Sequence, residues 1–311
     1  MSLAFVFPGQ GSQAVGMGRG FYDASAAAKS LYAEAGEALG FDLARLCFEG
    51  PEAELQLTAN TQPAILTASV AAATVLAERG LAPAIVAGHS LGEYSALVVA
   101  GALAFADAVR VVRRRGEFMQ EAVPVGTGAM AALLGLPLGV VDQICGDAAQ
   151  GEVVSVANVN SPAQIVIAGH KGAVERAVAL AGERGGKKSM LLPVSAPFHS
   201  PLMRPAADRL AALLARVVVT APKIPVVRNV DAGLTTSADE VVPFLVGQVA
   251  GPVRWTECVH RMVREGATTF VEVGPGRVLT GLLKRITGGA RGYAVEDPES
   301  LEKALEELEK A

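Results

Sequence analysis

The stretch "AIVAGHSLGEYSALVV", residues 84–99, runs from an apolar segment into a glycine-flanked serine and at once into a second apolar segment. Ala84–Ala87 followed by Gly88-His89-Ser90-Leu91-Gly92 predicts a buried strand, a tight turn and a helix that starts directly after it. A serine at such a junction has two readings. It is a helix N-cap, whose hydroxyl accepts a backbone N–H, or it is a nucleophile raised on a strained strand-to-helix elbow. The elbow needs small neighbours, because only glycine leaves room for so tight a turn. The helix beginning after it aims free N–H groups and a positive dipole end at the same point, where negative charge on a carbonyl oxygen would be stabilised. The strand-turn-helix context favours the nucleophile.

On the N-terminal side, Leu3–Phe7 is a second short apolar run, stopped by Pro8-Gly9, and reads as another buried strand. Residues 19 to about 80 are mainly helical, closing with an alanine-rich helix from about Gln62 to Arg79. Strand, helical crossover and strand at this spacing predict a parallel sheet with helices on its faces. With the elbow, this amounts to an α/β-hydrolase-like core.

From Gly126 the pattern changes. "GAMAALLGL", "EVVSVANVN", "QIVIAGH" and "KKSMLLPV" read as strands, while "PLGVVDQICGDAA" and "GAVERAVALAGERG" read as helices. The order βαββαβ matches a ferredoxin-like unit, with Asn160-Ser161-Pro162 as the turn between its middle strands. The expected organisation is a large α/β catalytic domain made of residues 1–125 and 196–311, interrupted by a ferredoxin-like insert at residues 126–195. Beyond the insert, a helix from about Pro201, a strand in "IPVVRNV", helices from Val241 and Trp255, a strand in "TTFVEVG" and a helix from Val278 complete the larger unit. The tail "PESLEKALEELEKA" is an amphipathic charged helix with a solvated face.

Bulk properties limit the function classes. Of the 311 residues, 51% are hydrophobic and only 19% charged, which is too apolar for a disordered chain. The formal net charge of -4 gives nucleic acid no overall attraction. Three cysteines, Cys47, Cys145 and Cys258, share no metal-like spacing and read as buried thiols of a reducing compartment. The start, "MSLAFVFPGQG", lacks the basic segment and cleavage site of a signal peptide. No stretch supplies the roughly 18 uninterrupted apolar residues of a membrane span. The expectation is a soluble, cytoplasmic protein that needs no metal.

A nucleophilic serine needs a base, and there are four histidines. Neighbouring residues at a strand end point to opposite sides, so His89 should turn away from the Ser90 hydroxyl and pack beneath the elbow. His170 falls in a turn of the insert and His260 in a helical stretch. His199, in "PVSAPFHSPLM", lies in a loop just before a helix, where the chain returns from the insert to the larger unit, and a cleft is expected there. His199 is the expected base. No Asp or Glu downstream of Ser90 stands out as its partner, and a backbone carbonyl could orient the imidazole instead.

"FPGQGSQ", residues 7–13, fails the dinucleotide fingerprint because Ala14 stands where the third glycine belongs, and it lacks a Gly-Lys-Ser/Thr ending. Gln10 between two glycines is either a plain strand-end turn or a backbone amide able to approach an oxyanion. "EVGPGRVL", residues 272–279, reads as a simple turn. Arg110, Arg113, Arg114 and Arg115 share one predicted helix, and an inward-turned arginine would bind a substrate carboxylate in a charge-assisted pair. Which one turns inward stays open from spacing alone.

Together these segments resemble the malonyl-CoA:acyl carrier protein transacylases, acyltransferases of fatty acid and polyketide synthesis. The likeness runs through "FVFPGQGSQ", "GHSLGEYSAL", "RRRGEFMQEAVPVGTGAMAALLG", "NSPAQIVIAG", "PFHSPLM", "GPVRWTECV" and "VEVGPGRVLTGL", about residues 3 to 290. It implies Ser90 as the acylated nucleophile and His199 as general base and later acid. It implies an oxyanion hole from the N–H groups of Gln10 and Leu91, and Arg115 as the residue holding the free carboxylate of malonate. Gln248 would orient His199 through its main-chain carbonyl, and Asn160 and its neighbours in the insert would line the cleft. Phe198 fits the malonyl-selective form. The implied partners are malonyl-CoA and an acyl carrier protein with its phosphopantetheine arm, with no cofactor, no nucleic acid and no membrane. Two rivals share features of the sequence: a serine thioesterase or esterase, with water as acceptor, and a non-catalytic scaffold that only docks a carrier protein.

Overall fold

A computed structural model describes residues 2–194 and 196–310, so residue 195 at the expected edge of the insert, and the two terminal residues, lie outside the described residues. The larger sheet has six strands: β1 (Leu3–Phe7), β2 (Ile85–Gly88), β7 (Val226–Val227), β8 (Leu234–Thr235), β9 (Thr269–Val273) and β10 (Arg291–Val295). Their order is β10-β9-β1-β2-β7-β8, parallel throughout except for the antiparallel β7–β8 pair. The central strands are buried on both faces, which is why they read as continuous apolar runs. Phe5, Phe7 and Val86 enter one core cluster, while Ala4, Val6, Ile85 and Ala87 enter another on the opposite face. That alternation is the two-residue period of a strand.

The smaller sheet comprises β3 (Gly128–Leu134), β4 (Val154–Ser161), β5 (Gln164–His170) and β6 (Lys188–Leu191), in the order β4-β5-β3-β6 with every neighbour antiparallel. Helices Leu138–Ala149 and Lys171–Glu183 cover one face, where Ala131, Leu133, Ile165 and Ile167 meet Val141, Ile144 and Ala177. The other face, with Met130, Ala132, Val166 and Ala168, joins the main cluster of the larger unit. A cleft therefore opens where the two sheets meet.

Three expectations are refined. The alanine-rich helix starts at Thr58 and runs through Pro63 to Glu78, four residues earlier than its apolar pattern suggests. The strand in "IPVVRNV" shrinks to Val226–Val227, because Arg228 N–H donates to Gly233 O and Ala232 N–H to Arg228 O, turning the chain back at once. β10 is absent from the sequence reading. It is a half-exposed edge strand with no apolar run to mark it. Among the described residues, no helix is long and apolar enough to cross a membrane.

The junction of β1, β2 and helix Gly92–Val99 is tighter than any side chain permits. A Cβ on Gly92 would lie 2.1 Å from Phe7 O, one on Gly88 1.8 Å from the Gly92 carbonyl carbon, and one on Gly9 2.4 Å from His89 O. Gly92→Ala is expected to destabilise by roughly 4 kcal/mol or more, since backbone is what must move. Gly146→Ala, mid-helix with nothing within 4 Å of the added carbon, should gain roughly 0.5–1 kcal/mol. Denaturant melts of the two variants check both signs.

Candidate active site

Ser90 occupies the elbow between β2 and the helix at Gly92, with φ of 51°, a left-handed conformation that non-glycine residues rarely adopt. Asn229, from the turn after β7, fixes this backbone on both sides of His89. Its Oδ1 accepts the Ser90 N–H at 2.7 Å and its Nδ2 donates to Gly88 O at 2.7 Å. Strain at the elbow is thus held by a side chain from a distant part of the chain.

His199 reaches Ser90 from 109 residues away, with Nε2 at 2.7 Å from Oγ. Its own φ is 58°, so both members of the pair sit in the left-handed region. The loop is fixed by the Ser200 hydroxyl donating to Pro197 O and the Phe198 N–H donating to Ala196 O. On the far side of the ring, Nδ1 faces the carbonyl oxygens of Gln248 at 2.9 Å and Gly251 at 3.2 Å. Carbonyls only accept, so the proton is on Nδ1 and Nε2 is free to take the serine proton. Burial, and next the positive charge of Arg115, push His199 down to about 3, which keeps it neutral at neutral pH. His89 points elsewhere. Its Nε2 pairs with Asn160 Oδ1 at 2.8 Å and its ring packs against Trp255. His170 accepts the Val153 N–H, and His260 is exposed.

Arg115 is the arginine that turns inward, at 2% exposure. Its guanidinium donates to Gln62 Oε1 at 2.8 Å, to Gln248 Oε1 at 2.8 Å and to Ser90 Oγ at 3.2 Å, with the Tyr94 ring 5.5 Å away. Arg110, Arg113 and Arg114 pair with Asp107 or Glu117 at the surface. A helical signal for this was present in the sequence. Ala108, Val111, Val112, Arg115, Phe118 and Met119 form one buried stripe at three- and four-residue spacing.

The cleft, counted with its open mouth, has a volume of about 610 Å³. Its polar wall is Gln10, Gln62, His89, Ser90, Arg115, Asn158 and His199, and its apolar wall is Leu91, Met119, Met130, Leu192, Val194 and Phe198. The structure brings Ser90, His199, Arg115, Gln10, Leu91 and Phe198 together around it, with Gln248 directly behind. Asn160 stands one layer back, against His89, and its neighbour Asn158 is on the wall. Neither the Gln10 nor the Leu91 N–H donates to another group among the described residues. Gln10 is pinned by its side chain, whose Oε1 accepts from Thr58, which in turn accepts from the Arg115 partner Gln62. Sequence reasoning missed Gln62, Glu93 and Asn229, which are polar residues set in apolar surroundings. Glu93 is 3% exposed and accepts from Gln248 Nε2 and Asn229 N–H; burial pushes it up to about 7. Among the described residues, no group of three His, Cys, Asp or Glu side chains is placed to hold a metal ion.

The acyl transferase domain family matches residues 4–295. The chain is 53% identical to the malonyl CoA-acyl carrier protein transacylase of Escherichia coli strain K12 over 305 residues, covering 98% of this chain and 99% of that one. It is 48% identical to the transacylase of the same name from Bacillus subtilis strain 168, covering 98% and 97%. The crystal structure of an acyl carrier protein S-malonyltransferase from Vibrio cholerae superposes with a TM-score of 0.96 at 52% identity, covering 98% of this chain and all of that one. A malonyl-transacylase solved in complex with its type II PKS acyl-carrier protein superposes equally well, with a TM-score of 0.96 at 49% identity, covering 99% and 100%.

The low proton affinity of His199 has a kinetic consequence. Inactivation of Ser90 by a neutral sulfonyl fluoride should keep its rate within about threefold between pH 7.5 and pH 5, because the base stays unprotonated until pH falls toward about 3. A histidine at the ordinary 6.5 would lose about thirtyfold over that interval, so the pH dependence of the inactivation rate checks the assignment.

Proposed function

This chain belongs to the acyl transferase domain family, and we propose that it moves the malonyl group of malonyl-CoA onto the pantetheine thiol of an acyl carrier protein, supplying extender units for fatty acid synthesis. The observation that carries this reading is a serine–histidine pair with a buried arginine 3.2 Å from the nucleophilic oxygen. A carboxylate at the far end of the acyl group is what such an arginine selects.

The reaction is ping-pong. His199 Nε2 takes the Ser90 proton as Oγ attacks the thioester carbonyl of malonyl-CoA. The oxyanion forms against the N–H groups of Gln10 and Leu91, which have no other partner among the described residues to give up. Collapse breaks the C–S bond, His199 returns the proton to the departing thiolate of coenzyme A, and a malonyl ester remains on Ser90. The carrier protein's pantetheine thiol then enters, loses its proton to His199 and takes the acyl group, and Ser90 recovers its proton. Gln248 orients His199 through its carbonyl, and Arg115 holds the malonyl carboxylate. Phe198 contributes the apolar wall that restricts acyl size and keeps water from the ester. Asn160 supports the cleft through His89.

The same reading gives the larger sheet an α/β-hydrolase-like core, supported by the parallel order and the elbow after β2. The insert at 126–195 is ferredoxin-like, supported by its element order and its β4-β5-β3-β6 arrangement. The catalytic domain is then residues 1–125 with 196–311. The location is the cytoplasm, in keeping with three free, buried cysteines.

Mixing the protein with malonyl-CoA should leave one malonyl group on Ser90, discharged on adding carrier protein that bears its pantetheine arm and absent in Ser90→Ala. Rapid steady hydrolysis without carrier protein would mark a thioesterase instead, and intact-mass spectrometry reads either result. Arg115→Ala should lower loading from malonyl-CoA by roughly a hundredfold or more while loading from acetyl-CoA holds or rises. An equal loss of both would make the arginine structural.

A further inference from the structure

The transfer described above leaves Glu93 without a task, although it lies one turn below the nucleophile and is almost fully buried. Its Oε2 accepts from Gln248 Nε2 at 2.8 Å and from the Asn229 backbone N–H at 3.1 Å. A carboxylate taken out of water needs a counter-charge, and two cations face this one: Arg115 on helix Phe105–Glu121 and Arg228 after β7. Arg228 is already matched. It bonds both carboxylate oxygens of Asp231 at 3.0 and 2.9 Å, reaches Glu240 at 3.2 Å and lies over the Phe244 ring.

Arg115 is not matched. Its hydrogen-bond partners are two amide oxygens and the Ser90 hydroxyl, and its Nε has no partner among the described residues. One amide joins the two unmatched charges. Gln248 Oε1 accepts from Arg115 at 2.8 Å while its Nε2 donates to Glu93 at 2.8 Å. The amide dipole is thereby aligned with the field between them, negative end to the cation and positive end to the anion.

We propose that Glu93 is a positioning residue, the counter-ion of Arg115 acting through the side-chain amide of Gln248, and that it competes with the carboxylate of the incoming acyl group for that arginine's charge. The inference rests on Arg115 being the carboxylate-binding residue. In the empty site, ionised Glu93 keeps the guanidinium in register beside Ser90. When the malonyl carboxylate docks, one cation faces two anions, and Glu93 takes up a proton from solvent to relieve the excess. Burial already raises Glu93 to about 7, so that proton is within reach under ordinary conditions. The remaining titratable neighbours, Tyr94 beside it and Cys258 on helix Trp255–Arg264, are both pushed upward by burial and stay neutral.

The test is the KM for malonyl-CoA divided by that for acetyl-CoA, measured between about pH 6 and pH 8.5. The ratio cancels the shared coenzyme A portion and isolates the acyl carboxylate, which is ionised throughout. In the wild type it should rise by about threefold to tenfold as Glu93 ionises and occupies Arg115. In Glu93→Gln, which keeps an acceptor for the Asn229 N–H, the ratio should be low and independent of pH. A flat ratio in the wild type overturns the inference even if the variant fails to fold, and so does a folded variant that keeps the wild-type rise. A wild type that forms no malonyl adduct overturns the assigned function and this inference with it. One that forms the adduct with a flat ratio overturns this inference alone.

Discussion

Three backbone segments pass within van der Waals contact at Gly9, Gly88 and Gly92, and the rest of the site follows from that crossing. Because β1 and β2 end side by side and the next helix starts against Phe7 O, the intervening residue is forced to φ of 51°. That conformation lifts the Ser90 hydroxyl clear of the sheet. It also places the loop after β1 and the first N–H of the helix on the same side of the reacting oxygen. No side chain beyond hydrogen fits at the crossing, so the geometry is set by covalent backbone and parallel pairing. Asn229 then secures the strained turn with two hydrogen bonds of 2.7 Å.

Around this rigid point the structure keeps charge in low-dielectric surroundings and distributes it through amides. Gln62, Gln248 and Asn229 are buried, and each spends both ends of its side chain. Gln248 does most. Its side chain touches Arg115, Glu93 and the Ser90 carbonyl, while its main chain orients His199. A single residue thereby registers His199, Ser90 and Arg115 against one another, and a substitution there would disturb all three together.

Much of this was legible in the sequence because it is written in local signals. Glycines flanking a serine between apolar runs marked the elbow, and a lone histidine in a Pro-Phe loop marked the side chain that meets Ser90. Arg115 was harder, since three consecutive arginines are separated by about 100° each around a helix and only the buried stripe from Ala108 to Met119 singles one out. Asn229 and Glu93 were invisible for a different reason. Each looks like an ordinary polar residue beside a strand or in a helix, and its meaning comes from partners 136 to 155 residues away. β10 escaped because an edge strand buries too little to leave a periodic pattern. Of the insert residues placed along the cleft on resemblance, Asn158 is on its wall, while the Asn160 amide meets His89.

The imidazole of His199 is oriented by two neutral carbonyls, at 2.9 and 3.2 Å, where many serine enzymes use a carboxylate. A carboxylate would lower the energy of the imidazolium formed during each half-reaction. Carbonyl dipoles do so less, and the adjacent guanidinium opposes it. In the proposed transfer the protonated base is therefore a species on the way through and never a resting place. Its proton would go on promptly to whichever sulfur is leaving, or back to the serine. For a catalyst that exchanges one thioester for another of nearly equal energy, such evenness matters more than force in either direction. Neither half-reaction becomes a trap, and the direction of flow is left to the concentrations of the two thiols.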